Sequence, residues 1–169
     1  ANNSAVFSDA KLVIISVPIQ VTAEVISQLP ELPEDCILAD LTSLKEQPLN
    51  AMLNKHSGPV VGLHPMFGPD VPNFVKQVVV VCNGRHQESY QWLIEQLTLW
   101  GAILEVDDAQ QHDSSMEIIQ AMRQFTTYVY GSFLAKQNPD LQQALRLRYP
   151  IYRHKLAMTG HLFAQNCQL

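Results

Sequence analysis

Five short apolar runs, each followed by about one helix's worth of chain, limit what these 169 residues can fold into more than any other feature. The runs are Lys11–Val17, ended by Pro18, then Cys36–Asp40, Val60–Leu63, Gln77–Cys82 and Ala102–Val106. Near-continuous apolar runs of this length suit strands buried on both faces of a sheet. Between them, Val21, Val25, Ile26 and Leu29 have helical spacing, and Leu49, Met52 and Leu53 mark a second helix begun near Pro48. Gln87–Trp100 is a third, with Trp92, Leu93, Leu97 and Trp100 expected inward. Strands alternating with helices predict βαβ units, right-handed crossovers and a mostly parallel sheet.

From Asp108 onward no further strand can be read. Ser114 or Ser115 is expected to cap a long helix whose apolar face holds Met116, Ile119, Met122, Phe125 and Val129 and which runs to about Lys136. A break at Asn138-Pro139 precedes a helical piece through Leu145, and a last helix is expected from Ile151 to about Gln165. The apolar stripe Leu156, Leu162 and Phe163 still needs a surface to cover it. The predicted organisation is therefore an α/β unit, residues 1–107, and an all-helical unit, residues 108–169.

Composition narrows the function classes. The net charge of −5 comes from 11 basic and 16 acidic residues that are scattered, which argues against nucleic acid or a membrane surface as partner. No stretch approaches the ~18 consecutive apolar residues of a membrane span, and the first residues carry no signal pattern, so a soluble, cytoplasmic protein is expected. Cys36, Cys82 and Cys167 lack CxxC spacing, which suggests neither a disulfide framework nor a metal site.

The candidate chemistry lies in Gly62-Leu63-His64-Pro65-Met66-Phe67-Gly68-Pro69-Asp70. An apolar strand ends at a histidine and then turns, so His64 should project from the carboxyl edge of the sheet, where open α/β folds bind ligands. An imidazole there can accept or donate a proton near neutral pH. His56, His86 and His112 read as surface or loop residues. The glycine-rich phosphate turn of dinucleotide-binding folds is missing: no two of the seven glycines are separated by a single residue. The chain therefore reads as a fragment whose first strands are absent, or as a sheet that never bound a dinucleotide.

Five ordered blocks stand out: Ser16-Val17-Pro18-Ile19, Asp40-Leu41-Thr42-Ser43-Leu44-Lys45, the His64 segment, Lys76-Gln77-Val78-Val79-Val80, and Pro150-Ile151-Tyr152-Arg153 followed by Leu156-Ala157-Met158. Together they resemble the prephenate dehydrogenases of tyrosine biosynthesis, in particular the dehydrogenase part of the bifunctional chorismate mutase/prephenate dehydrogenase proteins. The resemblance implies a partial Rossmann-like, mostly parallel sheet followed by helices of an all-α dimerisation domain, hence a homodimer. It implies oxidative decarboxylation of prephenate to 4-hydroxyphenylpyruvate with NAD as cofactor, leaving arogenate and NADP as alternatives. His64 matches the catalytic histidine, which takes the ring-hydroxyl proton as hydride leaves the same carbon, and Ser43 a serine that orients it. Lys45 and Arg153 match basic residues of the substrate pocket, and Ser16 and Pro18 lie where the cofactor runs.

Two departures from the family pattern bear on substrate binding. Gly160-His161-Leu162-Phe163-Ala164-Gln165 has histidine where relatives carry a carboxylate-gripping arginine. Gln124 stands where relatives usually have histidine, and Arg146 and Arg148 are the candidates to compensate. A noncatalytic remnant or dimerising interaction module is the competing reading, and the isolated chain is expected to bind cofactor weakly without the phosphate turn.

Overall fold

The computed structural model describes residues 4–68, 70–137, 146 and 157–160. Two compact units divide the chain, Ala1–Ser115 and Met116–Leu169.

The first unit is a five-stranded sheet with helices on both faces. A short helix α1 (Ser4–Phe7) leads into β1 (Leu12–Ile15), α2 (Ile19–Ser27), β2 (Ile37–Asp40), α3 (Glu46–Lys55), β3 (Val60–Pro65), β4 (Val78–Arg85), a 3-10 turn (Gln87–Tyr90), α4 (Gln91–Leu99) and β5 (Ile103–Val106). Spatial order follows chain order. The β1/β2, β2/β3 and β4/β5 pairs are parallel, as expected, whereas β3 and β4 are antiparallel. The alternation of strand and helix fails at that step: no helix occurs among the described residues between Pro65 and Val78, and a direct return reverses the strand. Gly84 is the extra residue of a bulge in β4, and a Cβ there would stand 2.6 Å from the Val60 carbonyl oxygen.

Period-two alternation sends the strand residues into two cores. Val13, Ile15, Leu38, Val60, Val80 and Cys82 pack with Ile26, Leu49 and Met52 of α2 and α3. Ile37, Ala39, Val61, Leu63, Val79 and Val81 pack on the other face with Tyr90, Leu93 and Leu97. Trp92 and Trp100, expected inward, are each 50% exposed. Leu93, Leu97 and the preceding Tyr90 fill that face, so the indoles are carried to its rim, where Trp100 rests on Phe74. Cys36 and Cys82 are buried free thiols, and Cys167 lies outside the described residues.

The long helix α5 (Ala109–Gln137) starts earlier than Ser114 or Ser115. Asp108 is its cap, its Oδ1 accepting from the Gln110 and Gln111 amides at 2.9 and 3.2 Å. Ser114 instead donates to the Gln110 carbonyl within the helix. Of the apolar face read for this helix, Met116 is buried while Ile119, Met122, Phe125 and Val129 are exposed. Residues 157–160 are helical, and the break at Asn138-Pro139, the piece predicted after it through Leu145 and the rest of the helix predicted over 151–165 lie outside the described residues. Among the described residues no helix is long and apolar enough to cross a membrane.

Candidate active site

Parallel register sets Ile15, Asp40 and Gly62 side by side, so the chain leaves β1 and β2, and reaches His64 in β3, along one edge of the sheet. Ser16 and Pro18 are exposed there, Pro18 as the cap residue of α2. Ser43 is half-buried, with no side-chain hydrogen bond among the described residues. It is not the cap of α3, whose cap position is Lys45.

Lys45 is placed differently from the expectation that it meets a substrate carboxylate. Its side chain is 0% exposed, and its ammonium donates to Asp40 Oδ2 at 2.6 Å and to the Leu63 carbonyl at 2.7 Å. Gly62 makes room for the stem, since a Cβ there would come within 3.2 Å of the Lys45 Cδ. Burial pushes the ammonium below the usual lysine value, opposed by the charge of Asp40. Asp40 also accepts from the Thr42 amide at 3.0 Å and from the Thr42 hydroxyl. The lysine thus holds the end of β2 to the residue before His64, and its charge is spent inside the fold.

His64 is 9% exposed, and its Nδ1 lies 3.0 Å from Nε2 of His112, the rings being nearly perpendicular. His112 Nδ1 lies 2.8 Å from Asp113 Oδ1. Asp113 in turn accepts from the amides of Lys45, at 2.7 Å, and Glu46, at 2.9 Å. A carboxylate from the first turns of α5 therefore caps α3, doing what no side chain of α3 does.

His112 is a correction to the sequence reading, being 1% exposed and joined to the candidate base. Starting the helix at Ser114 put it in a loop, whereas the Asp108 cap sets it four residues in; that cap was the available signal. His56 is also buried, its Nε2 2.7 Å from the Cys36 carbonyl oxygen, while His86 is exposed. Arg153 and His161 lie outside the described residues; Gln124 and Arg146 are exposed. Among the described residues no cluster of three or more His, Cys, Asp or Glu is arranged to hold a metal ion.

Burial pushes the His64 imidazole down to about 4, with the neighbouring His112 and the Lys45 charge acting the same way and Asp113 opposing. The ring is therefore neutral at working pH. An unfolded histidine protonates near pH 6.5, so between about 6.5 and 4 the unfolded chain binds the extra proton and stability falls as pH falls. The expected loss is about 3 kcal/mol across that window at roughly 1.4 kcal/mol per unit. Urea unfolding at several pH values should show it, and His64→Gln should flatten the slope; equal slopes in the two proteins would contradict it.

The family model described as prephenate dehydrogenase, nucleotide-binding domain, matches residues 1–105. The chain belongs to the prephenate dehydrogenase family. It is 59% identical over 162 residues to the T-protein of Enterobacter agglomerans, covering 96% of this chain and 43% of that protein. The T-protein of Haemophilus influenzae is 50% identical over 166 residues, with 98% and 44% covered. The chain thus spans under half the length of these curated relatives. Its fold is similar to that of Aquifex aeolicus prephenate dehydrogenase solved with hydroxyphenyl propionate and NAD+, with TM-score 0.66, 18% identity, and 92% of this chain and 61% of that one covered. The Rossmann-like reading of the sheet agrees with this family's nucleotide-binding domain.

Proposed function

We propose that this chain is the catalytic-histidine portion of an enzyme that converts prephenate to 4-hydroxyphenylpyruvate with NAD as hydride acceptor. The observation that carries the reading is His64, a neutral imidazole held through Nδ1 at the ligand-binding edge of the sheet. Its role is to take the proton of the ring hydroxyl. As that carbon gives up hydride and becomes a carbonyl, loss of carbon dioxide restores an aromatic ring, and the bond to the carboxylate supplies the electron pair. Ser43, with its hydroxyl uncommitted among the described residues, orients the substrate hydroxyl.

Ser16 and Pro18 fit the flank of a nicotinamide cofactor, being exposed at the carboxyl end of β1. The chemistry supplied by bound NAD is acceptance of the hydride. Arg153 and His161 are assigned to the substrate carboxylates. Lys45 is assigned a positioning role through Leu63. The exposed apolar residues of α5 support self-association, in keeping with a homodimer.

Incubating the intact protein with prephenate and NAD should release carbon dioxide and reduced nicotinamide in equal amounts. Activity with arogenate or NADP instead would revise the substrate or cofactor, and none with any combination would favour a noncatalytic dimerising module. His161→Arg should lower the Michaelis constant for prephenate about tenfold, since a charge-assisted bond is worth roughly 1.5–3 kcal/mol. An unchanged constant would show that another residue already holds that carboxylate.

A further inference from the structure

We propose that His112 and Asp113 are positioning residues that keep the proton of the His64 ring on Nδ1 and leave Nε2 as its free lone pair. The assignment follows from who can donate. A carboxylate has only acceptors, and Asp113 takes the Lys45 and Glu46 amides at 2.7 and 2.9 Å besides the imidazole at 2.8 Å. His112 must therefore donate from Nδ1, which in the neutral ring makes its Nε2 an acceptor. That atom lies 3.0 Å from His64 Nδ1, so the hydrogen between the rings comes from His64. The remaining nitrogen, Nε2 of His64, then carries a lone pair and can only accept.

The other charged groups facing this pair are the Lys45 ammonium, bound to Asp40 and the Leu63 carbonyl, and Asp113 itself. Neither touches His64 as a competing hydrogen-bond partner among the described residues. Asp113 has a second task, because the amides it caps open α3 directly after Ser43 and Leu44. One carboxylate thus sets the tautomer of the base and seats the loop bearing the serine. Outer partners that orient metal-bound histidines typically matter by about 10–100-fold, and an effect of that size is expected for the same orienting role here.

Ring-nitrogen NMR of this chain should find His64 protonated at Nδ1. In His112→Leu the preference should be lost, with Nε2 protonated or both forms present. In His112→Gln, whose amide can donate to Asp113 and accept from His64, it should be kept. This inference rests on the reading of His64 as the base only for its rate consequence: in the intact protein His112→Leu should lower kcat about 10–100-fold with the Michaelis constant within a few-fold, and His112→Gln should recover most of the loss. A His64 protonated at Nε2 in the unmodified chain, or a tautomer unchanged in His112→Leu, overturns the proposal. Should His112→Leu not fold, the unmodified chain and the Gln variant still decide it. A tautomer that moves while turnover stays constant overturns the assignment of His64 as base and not the placement of its proton.

Discussion

Replacing His64 by asparagine is expected to lower turnover in the intact protein by about 10²–10⁴, the usual worth of a positioned general base. Asparagine is the informative choice, because its amide can still donate to His112 Nε2 while offering no basic nitrogen to a substrate. Prephenate affinity should change by a few-fold at most, since the proton moves only in the transition state. Steady-state kinetics separate the two parameters. Turnover within a few-fold of the parent would make His64 a structural histidine and remove the basis of the proposed mechanism.

Replacing Lys45 by methionine is expected to destabilise the protein by about 3–5 kcal/mol, the cost of leaving a buried charge without its partner. The pair has no access to water, both side chains being 0% exposed, and Asp40 Oδ1 already lacks a hydrogen-bond partner among the described residues. Only Thr42 would then remain on Oδ2. The double variant Lys45→Met/Asp40→Leu should recover much of the loss, because an apolar pair of similar volume removes both charges at once. Denaturant midpoints measure this directly. A lysine that served to bind substrate would behave in the opposite way, with stability kept and the Michaelis constant raised; a loss under 1 kcal/mol would return Lys45 to that role.

His64 and Lys45 also mark where the sequence stops being informative. The strand-and-turn pattern around Val60–Pro65 is local, and it was enough to place His64 at the edge of a sheet. The family blocks pointed to Lys45 as well, but a basic residue in a motif looks the same whether its ammonium faces a ligand or a buried aspartate. Burial decided that point, and burial depends on β2 lying beside β3 with Gly62 opposite the lysine stem. The wide spacing of His64 and His112 hid their contact for a related reason. No short-range pattern reports a hydrogen bond across 48 residues.

What the sequence determined by itself was whatever rests on local chemistry: five strands from short apolar runs, three helices from apolar spacing, and an edge histidine from a strand that ends in a turn. Only the tertiary structure decided the antiparallel return of β4, the half-exposed indoles of Trp92 and Trp100, and the company His64 keeps. Each of these depends on which groups compete for the same buried space or the same proton. That competition is settled between residues distant in the chain, where neither periodicity nor motif carries the information.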